Sequence, residues 1–368
     1  MGMRIVFYSL RAHGLFDPND TTVFGGAEVQ LYHLSVGLAA GGHDVSFITR
    51  GPGSAETSVI QGVKVHKIPV RSGWLGKGLL AWDVAKCLRA CCPQVCVQRC
   101  AGVETAMIAA LARSAGARFC FMTASLLDCR NQLAQEGHPW VYQLYLWGLR
   151  RANLVICQNE EQQRLLSENF GIEAPVLRSA CAPVEDDRPS AQSDKSRYVL
   201  WVGRCDPYKD PISFIQLARA LPQISFEMVM PPGDYPDYAQ QIDRELMGAY
   251  NLQVRRQLPF HEMDWVFRRA SVLVNTSTLE GFPNTFLEAM RVGVPLLSYR
   301  LDPGGFLERE GTGVCAQGDF QALVNLCREW HESSGQAQHY GETGREYVRR
   351  THDARIVVTE FECLLNSV

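Results

Sequence analysis

Two glutamates eight positions apart mark the part of the sequence that is richest in reactive groups. Residues 275–290 contain Glu280 and Glu288, and hydroxyl residues, a glycine and a proline surround the first of them. The pattern predicts a strand that ends near Asn275, a loop, and a helix that begins near Pro283. Glu280 then lies on the loop, and Glu288 lies about one turn inside the helix.

The predicted start of this helix is suited to bind an anion. Pro283 fits a first helical turn, so the backbone amides of residues 284–286 are expected to lack intrahelical acceptors. Such amides bind phosphate groups. Because carboxylates repel phosphate, we expect Glu280 and Glu288 to accept hydrogen bonds from neutral hydroxyls, which a sugar and a ribose carry. A capping or surface glutamate is the alternative for either residue alone.

Two cations follow another predicted strand. Arg204 and Lys209 come after residues 198–202 and before a predicted helix that starts at Pro211. A guanidinium and an ammonium at one pocket rim can hold a diphosphate through charge-assisted hydrogen bonds. A pair of solvated surface charges is the alternative, and the position directly after a buried strand counts against it.

A pair of glycines opens a predicted helix near the N-terminus. Gly25 and Gly26 precede Ala27 and Glu28. Glycines allow backbone amides to approach a ligand closely, and the start of a helix favours an anion. An ordinary turn explains the pair equally well, and the pattern is not the G-x-G-x-x-G dinucleotide fingerprint.

Short apolar runs alternate with longer helical patterns along the chain, which predicts parallel βα units. A helix at residues 27–40, for example, stands between two of the runs. In such sheets ligands bind beyond the carboxyl ends of the strands, where the loops described above lie. The predicted strands comprise residues 4–8, 45–49, 95–97, 118–122, 198–202, 226–230, 253–255, 272–275 and 295–298.

The composition changes between residues 183 and 197, where polar and charged residues replace the apolar runs. We place a domain boundary there. The predicted N-terminal domain comprises residues 1–183, and the predicted C-terminal domain comprises residues 184–352. The C-terminal segment 353–368 is expected to form a helix that returns to the N-terminal domain.

Composition excludes several classes of protein. The formal net charge is -3 and the 36 basic residues are spread along the chain, which argues against a nucleic-acid surface. The N-terminus has no signal-peptide pattern, and together with 13 cysteines this favours a reducing, cytoplasmic compartment. A metal cluster at residues 87–100 is the alternative for some of the cysteines, although paired C-x-x-C ligands are missing.

These motifs together resemble the retaining glycosyltransferases of family four, which have the GT-B fold. The frame from Glu280 to Glu288 is the most specific mark, and residues 25–49 and 202–209 add to it. The resemblance therefore spans nearly the whole chain. It implies an α/β protein of two Rossmann-like, doubly wound parallel-sheet domains that face a central cleft, with the nucleotide-sugar donor on the C-terminal domain.

The resemblance also implies roles for single residues. Arg204 and Lys209 hold the donor diphosphate, Glu280 faces the transferred sugar, and these three are the catalytic candidates. Glu288 binds the nucleotide ribose, and the loop Leu258-Pro259-Phe260 seats the base. The remaining donor-binding candidates are Gly25, Gly26, Phe260, Ser277, Gly281, Phe282, Asn284 and Thr285.

One departure from the family concerns the N-terminal domain. Many members carry a histidine after the strand that corresponds to residues 119–122, but residues 123–128 contain none. We expect Ser125 or a backbone carbonyl to make its contact with the donor sugar. Arg99 ends another strand and is a second candidate on the acceptor side, with a salt bridge as its alternative.

The resemblance implies a hexosyltransferase-like enzyme that moves a sugar from a nucleotide-diphosphate sugar to a glycan or lipid-linked acceptor. A role in cell-surface polysaccharide or glycolipid biosynthesis is expected. Because the chain has no Asp-x-Asp triplet, we expect no obligatory metal and no cofactor. The alternatives are a phosphorylase or epimerase with the same fold, and a catalytically silent protein that binds nucleotide sugars.

Aromatic and basic residues cluster in two segments of the N-terminal domain. One contains Trp74, Leu75, Lys77 and Trp82, and the other is a predicted helix at residues 140–151. Such side chains suit a bilayer interface, so peripheral contact with the inner face of a membrane is expected. A buried amphipathic helix explains the same pattern.

Overall fold

The structure is a computed structural model in which residues 2–17, 19–20, 24–70, 73–130, 139–184, 197–332 and 334–367 are described. The side chains of residues 73–75, 77 and 334 lie outside that description, and with them the expected membrane contacts of Trp74, Leu75 and Lys77. The chain forms two compact units. One comprises Met1–Ala180 and Ala354–Val368, and the other comprises Cys181–Asp353.

The first unit contains a seven-stranded sheet. Its order is β3-β4-β2-β1-β5-β6-β7, and every pair is parallel except β3 with β4. β5 is buried along its whole length, as expected of a central parallel strand covered on both faces. The strands are β1 Arg4–Tyr8, β2 Asp44–Gly51, β3 Glu56–Ile60, β4 Val63–Pro69, β5 Val95–Arg99, β6 Arg118–Met122 and β7 Leu154–Ile156.

Helices connect these strands. The first, α1, is a single turn at His13–Phe16, and the 3₁₀ turn Leu126–Cys129 follows β6. Helix α2 begins at the predicted glycine pair. The longer helices are α2 Gly26–Ala40, α3 Gly73–Cys91, α4 Val103–Ser114, α5 Pro139–Leu149 and α6 Glu160–Phe170.

The second unit contains a six-stranded, wholly parallel sheet in the order β10-β9-β8-β11-β12-β13. This is the doubly wound order, which reverses direction between β8 and β11. Two parallel-sheet α/β domains are therefore confirmed. The strands are β8 Tyr198–Val202, β9 Phe226–Val229, β10 Leu252–Arg255, β11 Ala270–Asn275, β12 Leu296–Ser298 and β13 Gly313–Cys315.

The helices of this unit cover both faces of its sheet, as the buried side chains on either side of it show. Its 3₁₀ turns are Pro207–Lys209, Phe260–Glu262 and Pro303–Gly305. The helices are α7 Pro211–Ala220, α8 Pro236–Leu246, α9 Met263–Arg268, α10 Asn284–Arg291, α11 Phe306–Glu310, α12 Phe320–Glu332 and α13 Ser334–Thr351.

The last helix, α14 (Ala354–Asn366), belongs to the first unit and packs against α2. Gly37 permits the close approach, because a Cβ atom there would lie 2.4 Å from Cγ2 of Val358. Phe361 reaches the sheet, with its ring centroid 6.4 Å from that of Phe7. The apolar face seen in the sequence of this segment is thus buried in the first unit.

Sequence reasoning missed the hairpin of β3 and β4. Its exposed strand β3 has a weak apolar pattern, and the turn depends on two residues with positive φ. Gln61 has φ 48° and Gly62 has φ 80°, which is the combination that a two-residue hairpin turn requires. A glutamine is an unusual first residue for such a turn, so the signal was easily overlooked.

Candidate functional site

Strand order brings the two most reactive loops of the second unit together. β8 and β11 are neighbours at the switch point of the sheet, so the loops that follow them leave from the same edge. Thr276 joins the loops through its hydroxyl, which lies 2.9 Å from the carbonyl of Lys209 and 2.8 Å from that of Asp210. The amide of Thr278 donates to the carbonyl of Tyr208 at 2.8 Å. These bonds hold the two loops together.

Lys209 and Glu280 form an ion pair between these loops. Both side chains are largely buried. Ser277 donates from Oγ to the same carboxylate oxygen, Oε1 of Glu280, at 2.9 Å. The three residues that the sequence placed in two separate motifs thus meet at one point, where an ammonium, a carboxylate and a hydroxyl are in direct contact.

The backbone beside Lys209 is unusual. Asp210 has φ 48° and ψ 57°, the left-handed region that few residues other than glycine adopt. Its carboxylate caps α7 by accepting from the backbone amide and the hydroxyl of Ser213, at 3.3 and 2.6 Å. Arg300 donates to the same carboxylate at 2.6 Å. These bonds stabilise the strained turn that presents Lys209.

Arg204 has three partners of its own. Its Nη2 lies 2.8 Å from Oδ2 of the buried Asp206 and 3.1 Å from the hydroxyl of Tyr208, and its Nη1 lies 3.1 Å from Oδ2 of Asp234. Burial alone would lower the pKa of Arg204, but Tyr208 and the two carboxylates raise it, so the guanidinium stays charged. Sequence reasoning expected Arg204 at the rim but missed both acidic partners.

A close backbone approach brings Asp234 to this position. A Cβ atom at Gly233 would lie 2.2 Å from the carbonyl oxygen of Cys205, so only glycine fits between the loops after β8 and β9. The amide of Asp234 donates to Oδ1 of Asp206 at 3.0 Å. The signal in the sequence was the Pro-Pro-Gly-Asp run that follows β9.

The structure corrects the predicted start of the helix that carries Glu288. Pro283 is not in the first helical turn: it precedes α10 with extended ψ of 121° and occupies the N-cap position. The amide of Phe286 donates to the carbonyl of Pro283 at 3.0 Å, so it is not available to a ligand as predicted. The amides of Asn284 and Thr285 remain the candidates at the helix start.

Phe282 points its side chain into the core of the second unit. Its ring stacks on His352 with centroids 5.7 Å apart and meets the ring of Phe306 edge-on at 4.9 Å. Any contact of Phe282 with a donor must therefore come from its backbone. Packing of this ring also anchors the loop that carries Gly281.

Glu288 lies in the second turn of α10 and accepts from Arg291 and Cys181. Pro259 and Phe260 lie at the 3₁₀ turn after β10, where the amide of Glu262 donates to the carbonyl of Pro259 at 3.0 Å. Because β10 is parallel to β8 and β11, this turn lies at the same edge of the sheet as the motifs above.

The glycine pair of the first unit opens α2 as predicted, with Gly25 at the N-cap and Gly26 as the first helical residue. Glu28 occupies the position expected for an anion: its Oε2 accepts from the amide of Gly25 at 2.8 Å, and its Oε1 accepts from the hydroxyl of Ser9 at 3.1 Å. A carboxylate of the chain itself thus caps this helix. A ligand anion at Gly25 would therefore compete with the carboxylate of Glu28.

Arg99 ends β5 and Ser125 follows β6, so both lie at the carboxyl edge of the sheet of the first unit. Arg99 is only 7% exposed, and its Nε has no hydrogen-bond partner among the residues that the structure describes. Burial lowers the pKa of Arg99, which the nearby Cys100, Asp128 and Glu28 only partly offset. Cys100 has φ 76°, so strained backbone adjoins this buried cation.

The carboxylate of Asp128 gathers the loop of Ser125. It accepts from the amides of Ala124 and Ser125 at 2.6 and 3.2 Å, and the hydroxyl of Ser125 lies 3.4 Å from its other oxygen. Burial raises the pKa of Asp128, and these amides act in the opposite direction. Asp128 was missed, although Ser-x-x-Asp is a capping-box pattern.

A metal cluster is the alternative that the sequence offers for some of the cysteines at residues 87–100. Within the described ranges, no three or more His, Cys, Asp or Glu side chains group together in a way that could hold a metal ion. Cys91 instead contacts Nε2 of His66, with 3.3 Å between sulfur and nitrogen.

Two parallel-sheet α/β domains, the second with the doubly wound strand order, are the architecture of the GT-B fold. The family model described as a glycosyl transferase 4-like domain matches residues 25–178, and that of glycosyl transferases group 1 matches residues 184–347. The chain belongs to the GT-B glycosyltransferases of the GT4 type.

Solved structures agree with this fold. Anabaena HepE, in complex with UDP and glucose, is 16% identical with a TM-score of 0.76, over 100% of both chains. Sucrose-phosphate synthase from Thermosynechococcus elongatus is 17% identical with a TM-score of 0.73, over 99% of this chain and 98% of that one. The trehalose-6-phosphate protein of E. coli, bound with UDP-2-fluoro glucose, is 12% identical with a TM-score of 0.72, over 99% of both chains.

Proposed function

We propose that this glycosyltransferase is a retaining enzyme that moves a sugar from a nucleoside-diphosphate sugar to a glycan or lipid-linked acceptor. The observation that carries the proposal is the contact of Lys209, Glu280 and Ser277 at the switch point of the second sheet. The ammonium of Lys209 can bind a diphosphate, and the adjacent carboxylate of Glu280 can accept hydrogen bonds from sugar hydroxyls. The likeness of the Glu280–Glu288 frame to family four supports retention of configuration.

In the proposed reaction the bond between the anomeric carbon and the β-phosphate oxygen breaks, and a bond from the acceptor hydroxyl oxygen to that carbon forms. The proton of the acceptor hydroxyl passes to the departing diphosphate. Negative charge grows on the diphosphate, so preorganised cations contribute most to the rate. Lys209 and Arg204 supply them, with the amides of Asn284 and Thr285 at the start of α10.

Donor binding would exchange partners at Lys209. The ammonium would turn from Glu280 to the diphosphate, and the Glu280 carboxylate would then accept hydrogen bonds from the hydroxyls of the sugar. Arg204 would release its exposed partner Asp234 to bind the diphosphate, and it would keep its ion pair with the buried Asp206. Glu288 would bind the ribose.

A panel of donors tests this function. Thermal-shift measurements with UDP, GDP and ADP sugars identify the donor, and UDP-glucose comes first because two of the solved relatives were studied with UDP and glucose or a UDP-glucose analogue. NMR of the product then reads the anomeric configuration. Transfer with retention, undiminished by EDTA, is the expected result. Inversion would contradict the retaining mechanism, and loss of activity that Mn²⁺ or Mg²⁺ restores would contradict metal independence.

We further propose that Arg99 binds the acceptor. A buried guanidinium without a partner at its Nε is costly unless a ligand supplies an acceptor oxygen. The Arg99→Met variant is expected to raise the KM for the acceptor at least about tenfold, since a hydrogen bond to a charged group contributes about 1.5 to 3 kcal/mol. The KM for the donor should stay unchanged. Equal increases in both constants would argue for a structural role.

The face of α5 away from the core supports a further proposal, contact with an anionic membrane surface. Trp140 and Trp147 are 54% and 39% exposed, and the guanidinium of Arg151 lies 3.8 Å from the ring centroid of Trp147. Tyr145 on the opposite face is buried, so α5 packs on the core through that face while its aromatic face stays exposed. Among the described residues, no helix is both long and apolar enough to cross a bilayer.

Sedimentation with phosphatidylglycerol vesicles checks this contact. The double variant Trp140→Ser and Trp147→Ser should lose most of the bound fraction, because aromatic side chains anchor proteins at the bilayer interface. The matched control is Tyr250→Ser, because Tyr250 is an exposed aromatic residue of the second unit. Equal binding of both variants would refute the assignment to α5.

A further inference from the structure

Glu288 is held from two sides by side chains that the sequence motifs did not single out. Arg291 donates from Nε to Oε2 of Glu288 at 3.3 Å. Cys181 donates from its thiol to Oε1, with 3.8 Å between sulfur and oxygen. Both partners are buried. In such surroundings a charge pair is screened far less than at the surface.

A second carboxylate fixes Arg291 in turn. Its Nη2 donates to Oδ1 of Asp264 on α9, and Oδ2 of Asp264 accepts from Nε of Arg268 at 2.5 Å. Burial alone would lower the pKa of Arg291 and raise that of Asp264, but the ion pairs reverse both effects. Both groups therefore stay ionised, and the guanidinium of Arg291 is clamped between two carboxylates.

Cys181 is equally well fixed. Its amide donates to the carbonyl of His352 at 2.8 Å, and it forms a β-bridge with Asp353. Burial, and then the charge of Glu288, raise the pKa of its thiol, so the thiol remains a neutral donor. Arg291 and Cys181 thus present Glu288 with a fixed cation and a fixed neutral donor.

We propose that Arg291 is a positioning and specificity-determining residue. Fixed by Asp264 and together with Cys181, it holds the Glu288 carboxylate in the orientation that accepts the ribose hydroxyls of the donor. A carboxylate offers about four acceptor sites, so ribose hydroxyls donate to the oxygens that these neighbours orient. The consequence is selection of ribonucleotide donors over deoxyribonucleotide ones. The inference deepens the proposed function and rests on the ribose role of Glu288.

The test uses whichever of UDP, GDP and ADP binds the wild type most tightly. It compares the affinity of that nucleotide with the affinity of its 2′,3′-dideoxy form. Calorimetry on the full chain gives the ratio of the two dissociation constants. The wild type should prefer the ribonucleotide by about 10- to 100-fold, the range for hydrogen bonds to a charged group. Arg291→Met should lower this preference to within about threefold of unity, because a carboxylate without its partner loses its orientation.

The control variant is Arg349→Met. Arg349 pairs with Glu346 at the same i, i+3 spacing on the exposed face of α13, so its loss should leave the nucleotide preference intact. A structural role for Arg291 would weaken both nucleotides alike and leave their ratio unchanged, and that result would overturn the inference. Where Arg291→Met does not fold, Arg291→Lys and Asp264→Asn replace it. We expect these variants to give a ratio between that of the wild type and unity, and an unchanged ratio would again overturn the inference.

Glu288→Ala separates this inference from the proposed function beneath it. Loss of the preference in Glu288→Ala, together with its loss in Arg291→Met, supports both. If the preference is lost in Glu288→Ala but kept in Arg291→Met, the role of Arg291 is refuted and that of Glu288 stands. A wild-type preference that survives in Glu288→Ala shows that the ribose contact lies elsewhere and rejects the donor role of Glu288 itself.

Discussion

The Glu280→Gln variant is expected to lose about one to two decades of turnover while it binds the free nucleoside diphosphate about as tightly as the wild type. Glutamine keeps the shape of the side chain and can still accept from Ser277. It loses the charge that holds Lys209 and that would accept from the donor sugar. Hydrogen bonds that strengthen in the transition state affect rate rather than ground-state binding.

Steady-state kinetics and calorimetry with the nucleoside diphosphate decide this prediction. Glu288→Ala should show the opposite pattern, with weaker nucleotide binding, because ribose contacts are much the same in ground and transition states. Glu310→Gln serves as the control, since Glu310 is a partly buried partner of Arg309 outside the site. If Glu280→Gln bound the nucleotide poorly and Glu288→Ala bound it normally, the two assigned roles would be reversed.

The Lys209→Ala variant is expected to bind the nucleoside diphosphate about 10- to 100-fold more weakly, and the corresponding nucleoside almost unchanged. The contact that we propose for Lys209 is charge-assisted and made only to phosphate. Arg204→Ala should show the same selectivity. It should also lower the melting temperature, because the fully buried Asp206 loses its cation.

Lys67→Ala provides a matched control for Lys209→Ala. The side chain of Lys67 is 16% exposed and that of Lys209 is 20% exposed, and each pairs with one glutamate. Lys67 lies on β4 of the first unit, so its variant should bind both ligands normally. Equal losses for nucleoside and nucleoside diphosphate in Lys209→Ala would refute the phosphate role.

The amino-acid sequence by itself determined most of the core strands and the reactive loops. Strands β1, β6 and β8 begin and end where the apolar runs predicted, because a strand buried on both faces needs a continuous apolar run. The family was recognisable from Glu280 and Glu288, since their spacing depends only on local chain geometry. The start of α10 was misplaced by one residue because proline is accepted at both the N-cap and the first helical position.

Only the tertiary structure decided which charges meet. Lys209 and Glu280 are 71 positions apart, and they pair because β8 and β11 are neighbours at the point where the strand order reverses. No local pattern encodes that order. Glu288 accepts from Arg291 on α10 and from Cys181, and Arg291 is fixed in turn by Asp264 on α9, so the sequence shows no motif for this arrangement. Burial, which makes these ion pairs persist, is likewise a property of the packed fold, because each side chain is shielded by residues that are distant in the chain.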